Sequence, residues 1–100
     1  MFLEVLIAGA ILVAELLYIG LIILLTIGAI VDWFNGVDTS IPSEVGFTVA
    51  EALSSGNFKV VQGVFNKNTN RVTAGRAMDV NEMDATLGSY HRGHKVVIYD

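Results

Sequence analysis

The hydrophobic pattern of this chain is dominated by one apolar run, from Val5 to Val31, in which Glu15 is the single charged residue. A run of about 18 or more apolar residues is typical of a transmembrane helix, which needs about 20 residues to cross a hydrocarbon core of roughly 30 Å. No Lys or Arg precedes the run, and it is about twice as long as the apolar region of a secretory signal peptide. The pattern therefore predicts a retained transmembrane helix over residues 1–34.

The end of this helix is marked by aromatic and turn-forming residues. Trp33 and Phe34 are predicted membrane-interface anchors, because aromatic side chains favour the headgroup level. Asn35 and Gly36 follow as a helix stop.

Residues 35–56 are rich in turn-forming residues and are predicted to be a connector. Thr48 and Glu51 fit a capping box for a short helix, whereas Val45, Phe47 and Val49 alternate as they would in a strand. The pattern does not decide between the two. We favour a short interfacial helix near the membrane surface.

Residues 57–100 have the pattern of a small α+β unit. A β-branched and aromatic strand over 58–65, turn-forming residues at 66–70 and a return strand over 71–77 predict a hairpin. Asn81 is the predicted N-cap of an amphipathic helix over 82–91. A strand over 95–99 completes a ββαβ order. The predicted fold class is a single-pass transmembrane α-helix followed by a small α+β (ββαβ-like) extramembrane unit.

Charge is divided unequally along the chain. Residues 1–56 contain six acids and no base, whereas residues 57–100 contain six bases and four acids. The bases are too dispersed for a nucleic-acid interface. Because Lys and Arg favour the inner side of a membrane, we expect the C-terminal unit on the cytoplasmic side. The chain has no cysteine, which excludes disulfides, thiolate nucleophiles and Cys-based metal sites.

Glu15 is the strongest candidate contact residue, because a carboxylate near the bilayer centre costs roughly 2.5–3.5 kcal/mol or more. Residues spaced by three and four place it on one helical stripe with the other polar and small side chains. This stripe is a candidate helix–helix interface, and it comprises Glu4, Ala8, Ile11, Glu15, Tyr18, Ile22, Thr26 and Ala29. The alternatives are that Glu15 extends to the membrane surface, or that it is a functional acid such as a proton-relay residue or a ligand to the metal of a bound pigment. A pigment or a lipid is a candidate ligand of the helix.

The remaining candidate chemistry is sparse. His91 and His94 form a candidate pH-sensitive pair, but two imidazoles do not make a metal site. No nucleophile elbow, phosphate-binding loop or dinucleotide fingerprint is present, so no catalytic residue, metal or cofactor is expected.

These features predict a non-catalytic accessory or structural subunit of a larger membrane protein complex, such as a photosynthetic or respiratory assembly. Its partners would be membrane protein subunits and the lipid bilayer. One alternative is a membrane-tethered adaptor that binds a soluble partner through residues 57–100. Another is a pilin-like or virion structural protein.

Overall fold

The computed structural model of the protein describes residues 2–37 and 41–99. Its elements, in chain order, are α1 (Phe2–Ile11), β1 (Leu17–Leu25), α2 (Ile27–Asn35), β2 (Glu44–Ala52), β3 (Phe58–Asn66), β4 (Arg71–Met83), α3 (Ala85–Tyr90) and β5 (Val96–Tyr99).

The five strands form one mixed sheet in the order β1-β4-β3-β2-β5. β1 is parallel to β4, and the other neighbours are antiparallel. The β3–β4 turn is closed by the side chain of Asn66, whose Oδ1 accepts hydrogen bonds from the main-chain N–H groups of Asn68 and Thr69. Asn70 completes the turn at a φ of 56°, a left-handed conformation that Asn tolerates better than most residues.

The apolar run does not form a transmembrane helix. Across residues 2–37 and 41–99, no helix has both the length and the apolar character needed to span a membrane. The run instead supplies most of α1, all of β1 and the first half of α2. The predicted fold class of a single-pass helix with an extramembrane unit is therefore wrong, as are the integral membrane localisation and the cytoplasmic orientation that depended on it. The chain forms a small α+β domain with a mixed sheet.

Three local features divide the run. α1 ends in turns in which Leu12 and Val13 donate to the carbonyls of Gly9 and Ala10. Gly20 adopts a φ of +95°, which a continuous helix does not contain and which glycine allows without steric cost. Thr26 starts a new helix as N-cap, because its Oγ1 accepts from the N–H of Ala29 at 3.1 Å. Apolar composition alone does not distinguish a buried strand from a helix.

The central strands of the sheet are covered on both faces, and each face has its own core cluster. α1 packs on one face with buried residues of the central strands: Ile7, Ala10, Val45, Phe47, Val61, Phe65 and Ala77. α2 and α3 pack on the other face: Leu25, Ile30, Val60, Met78, Val80 and Leu87. Neighbouring residues of one strand, such as Val60 and Val61, belong to opposite clusters, as the alternation of side chains along a strand requires.

The predicted connector contains a strand of the sheet's interior. β2 lies between β3 and β5, so the predicted short interfacial helix is wrong and the alternation of Val45, Phe47 and Val49 was the correct signal. Two glycines allow aromatic rings to lie against the backbone here. A Cβ at Gly46 would lie 2.7 Å from Cε1 of Phe34, and one at Gly63 would lie 2.7 Å from Cζ of Phe47.

The elements of residues 57–100 occur in the predicted ββαβ order. The hairpin is confirmed, with Phe58 opposite Val80 and Asn66 opposite Arg71. The helix begins later than predicted, with Asp84 as its N-cap, while Asn81 lies within β4. β5 pairs with β2, so these elements are not a separate unit.

Candidate interaction surface

β1 forms one edge of the sheet, and its side chains are large, apolar and exposed. Within the described residues, β4 is the sole strand that pairs with β1, so its other edge presents unpaired main-chain groups. The exposed fraction reaches 70% at Leu17 and 68% at Ile23. We call this strand surface the apolar edge, and it comprises Leu17, Tyr18, Ile19, Leu21, Ile23 and Leu24.

The apolar edge is exposed on both faces of the sheet. Tyr18 lies beside Ala77 and Leu21 beside Asp79, which places both on the face that carries α1. Leu24 lies beside Glu82 and shares the opposite face with Ile22, which lies beside Val80. The register shift between Tyr18 and Leu21 is a bulge that adds one residue to β1 relative to β4. Tyr18 and Leu21 therefore point to the same face, although one has an even and the other an odd number. Neither layer of helices covers this strand fully.

Charge is absent from β1, whose sequence is LYIGLIILL. Edge strands are normally protected from pairing by Lys, Pro, bulges or an overlying element. Here the bulge beside Gly20 is present, but the strand has no charge and no proline. The apolar edge makes a polar contact through the Tyr18 hydroxyl, which donates to Oδ2 of Asp79 at 2.7 Å. This hydrogen bond is the main cause that raises the pKa of Tyr18. The edge is suited to pairing with another apolar strand.

Further exposed apolar residues precede β1. Val5 and Leu6 on α1, with Leu12 and Val13 in the link to β1, are all at least two-fifths exposed. Glu15 lies in the same link and is exposed, so its carboxylate carries no burial cost. It lines a small cavity of about 250 Å³ with Arg71 and Val72.

The structure separates the residues of the predicted helix–helix stripe. Glu4, Ala8 and Ile11 lie on α1, Glu15 lies in the link, Tyr18 and Ile22 lie on β1, Thr26 caps α2, and Ala29 lies on α2. The continuous helix that would align them is not formed. Of the eight, Tyr18 belongs to the apolar edge.

The predicted membrane anchors pack within the protein. The guanidinium carbon of Arg76 lies 5.5 Å from the centre of the Trp33 ring, and the rings of Phe34 and Tyr99 lie 5.4 Å apart. Arg76 also donates two hydrogen bonds to Oε1 of Gln62, at 2.9 and 2.7 Å.

Gln62 is a structural polar residue of the core that the sequence pattern did not reveal. It is fully buried, and its Nε2 donates to the carbonyl of Ile30 at 2.8 Å, which ties α2 to the sheet. A buried amide needs such partners because an unpaired polar group costs about 1–3 kcal/mol. Its position between the apolar pairs Val60-Val61 and Val64-Phe65 of β3 was the available signal.

His91 and His94 lie together at a groove of about 590 Å³, whose lining residues come from β2, β3, β4, α3 and the loop before β5. Its apolar part includes Phe58 and Met83, and its polar rim includes Arg92 and Lys95. Lys95 is paired with Glu51 at 2.9 Å, both of them more than half exposed. Such exposed pairs contribute little to stability.

The imidazole of His91 has a defined tautomer. Its Nδ1 lies 3.0 Å from the carbonyl of His94, which can only accept, so Nδ1 carries the hydrogen. Nε2 therefore accepts from the Thr48 hydroxyl at 2.8 Å, and the Tyr99 hydroxyl donates to Thr48, also at 2.8 Å. Burial is the main cause that lowers the pKa of His91.

This chain of hydrogen bonds resembles the hydroxyl–imidazole pair of a hydrolase, but its access differs. Thr48 is fully buried, so a substrate cannot reach the hydroxyl oxygen. Among residues 2–37 and 41–99, no three His, Asp or Glu side chains are grouped so that they could hold a metal ion.

The chain was compared with models of known protein families, with curated proteins and with solved structures, and none of them matches it.

Proposed function

We propose that the protein is a non-catalytic subunit of a larger protein assembly, held in place by its apolar edge. The observation that carries this proposal is the exposed nine-residue strand β1, which has one unpaired edge and no charge. Exposed apolar surface beside unpaired main-chain groups marks an interaction site, because a partner strand would bury the apolar side chains and pair with the main-chain groups. The proposal keeps the accessory-subunit part of the sequence hypothesis without the transmembrane helix.

Two features favour a protein partner over a lipid surface. The free N–H and C=O groups of β1 would lose their hydrogen bonds to water in hydrocarbon, at several kcal/mol each, whereas a partner strand satisfies them. Residues 1–56 also contain no Lys or Arg that could attract anionic headgroups.

The polar groups elsewhere support a non-catalytic role. The Thr48 hydroxyl is closed to substrate, and the Gln62 amide is occupied by Ile30 and Arg76. Both side chains have structural hydrogen-bond partners.

The test is the substitution Leu21→Lys in the full chain, expressed with an affinity tag at its native level. Leu21 is 55% exposed, so a lysine there is tolerated by the free protein. At a paired edge the ammonium group loses water, and we expect association to weaken at least about 100-fold. Co-purification from a mild-detergent extract measures the effect, and circular dichroism verifies the fold.

The matched control is Ser55→Lys, which places the same charge on the exposed β2–β3 turn. We expect it to retain every partner. Equal retention of partners by Leu21→Lys would contradict the proposal. Flotation of the purified chain with neutral phosphatidylcholine vesicles, without any protein partner, would instead assign the apolar edge to lipid.

A further inference from the structure

We infer that the apolar edge pairs with the apolar edge of a second copy of this chain, antiparallel and about a two-fold axis at Ile22. This inference rests on the proposed function, and it identifies a second copy of the chain as a partner of the apolar edge. Two five-stranded sheets would join into one continuous sheet through β1 of each copy.

Pairing of β1 with a second copy of β1 requires that no like charges face each other across the interface. In a two-fold interface each residue meets the same surface of the other copy, so a charge near the axis would face an identical charge. β1 has no charged residue along its nine positions, so every cross-strand pair is apolar or involves glycine or the tyrosine ring. Apolar cross-strand pairs of this kind stabilise a sheet.

The two faces of β1 restrict the register, and the position of Gly20 favours an axis at Ile22. Residues directly opposite each other in an antiparallel pair must lie on the same face of the sheet. An axis at Ile22 places Ile22 against Ile22 and Leu21 against Ile23, and the members of each pair share a face. Leu24 of one copy then lies opposite the bulge of the other. There Gly20 has no side chain, and a Cβ at its position would have no atom within 4 Å.

The opposite edge of the sheet is a poorer partner for β1. β5 has four residues against the nine of β1, and Lys95 directly precedes it. A β1–β5 contact would also join two different surfaces, which builds a ring or an open filament and not a dimer closed by two copies. The β1–β1 contact closes after two copies.

The chain contains no cysteine, so single introduced cysteines report the geometry directly. Two copies of Ile22→Cys would face each other across the axis, with Cβ atoms about 4.5–5.5 Å apart before adjustment. A disulfide needs about 3.5–4.5 Å, which small movements of an edge strand supply. Leu17→Cys lies five positions from the axis, so its two copies would be roughly 30 Å apart.

The experiment is mild oxidation of purified full-length Leu17→Cys, Ile22→Cys and Ser55→Cys chains, followed by non-reducing gels. We expect a cross-linked dimer for Ile22→Cys in at least about tenfold excess over the other two. Because Ile22 is half-buried, a mixture of Leu21→Cys and Ile23→Cys chains provides a second test at exposed positions. Their mixed dimer should exceed both self-dimers.

The outcomes separate this inference from the proposed function. Equal cross-linking of Leu17→Cys and Ile22→Cys would indicate parallel in-register stacking and would overturn the two-fold pairing. A monomeric mass by sedimentation equilibrium, with no cross-link at any position, would overturn it as well. If Leu21→Lys still released the native assembly in that case, the proposed function would stand with a different partner protein.

Discussion

At the scale of single residues, His91 connects protonation to the fold. Its neutral imidazole accepts from Thr48 and donates to the carbonyl of His94. Burial is the main cause of its lowered pKa, and the nearby His94 lowers the pKa further, whereas the main-chain hydrogen bonds oppose the shift. Protonation of Nε2 would reverse this hydrogen bond, so that Nε2–H would donate to the Thr48 hydroxyl.

We predict that His91 destabilises the protein in mild acid. The pKa of His91 in the folded state lies below the ordinary value of about 6.5, so the unfolded chain binds more protons as the pH falls below that value. The free energy of unfolding should therefore decrease as the pH is lowered from about 7.5 to 5. Urea unfolding at a series of pH values measures this decrease.

The substitution His91→Gln should make this decrease shallower, because the titrating imidazole is gone. His94→Gln is the matched control and should retain the contribution of His91. An identical pH dependence in the wild-type and His91→Gln chains would contradict the prediction.

Glu15 illustrates how the role of a polar residue depends on the element that contains it. Within one long helix it would be a buried acid that requires a partner. In the structure it lies exposed between α1 and β1. The charge in the apolar run is thus located at a break between two elements, where its carboxylate reaches water.

At the scale of elements, Asp84 starts two helices at once. Its Oδ1 accepts from the N–H of Leu87 at 2.8 Å, which caps α3, and its Oδ2 accepts from the N–H of Ile27 at 2.9 Å, at the start of α2. Its own N–H donates to the carbonyl of Leu25 at the end of β1. One carboxylate thereby fixes the junction of β1, α2, β4 and α3.

We predict that Asp84→Ala lowers the free energy of unfolding by about 1–3 kcal/mol, since a lost N-cap costs about 0.5–2 kcal/mol and two helix starts lose their acceptor. Asp84→Asn is the matched variant, because its amide retains one acceptor oxygen and should lose about half as much. Urea unfolding of the three chains measures both values. A loss below about 0.5 kcal/mol for Asp84→Ala would show that the two hydrogen bonds are not stabilising.

The elements differ in how strongly their sequences determine them. The β3–β4 hairpin was predictable, because β-branched residues and the Asn-rich turn from Asn66 to Asn70 determine it locally. The start of α3 was displaced by three residues, because Asn81 and Asp84 are both good caps and the pairing of β4 continues to Met83. The helix can begin only where that pairing ends.

At the scale of the whole molecule, the sheet combines strands from all three segments that the sequence pattern separated. β1 comes from residues 1–34, β2 from residues 35–56, and β3, β4 and β5 from residues 57–100. Both core clusters likewise include residues from before residue 35. The segment 57–100 contains only part of each cluster.

We predict that the fragment 57–100 does not fold by itself. Without α1, β2 and α2, the buried residues Val60, Val61 and Phe65 would lose much of their packing. A fragment of 44 residues also buries too little apolar surface to form a stable core. Heteronuclear NMR spectra of the fragment and of the full chain make the comparison. Well-dispersed fragment resonances would contradict the prediction.

The sequence by itself determined the local features: the hairpin of residues 57–100, the alternation of β2, the absence of cysteine chemistry and the unusual apolar character of residues 5–31. It did not determine what the apolar run becomes, because uniformly apolar segments fit a helix or a strand equally well. Residues 17–25 form a strand and not a helix because they pair in parallel with β4, which lies more than 40 residues further along the chain. Such long-range pairing has no local signal, so only the tertiary structure revealed the apolar edge.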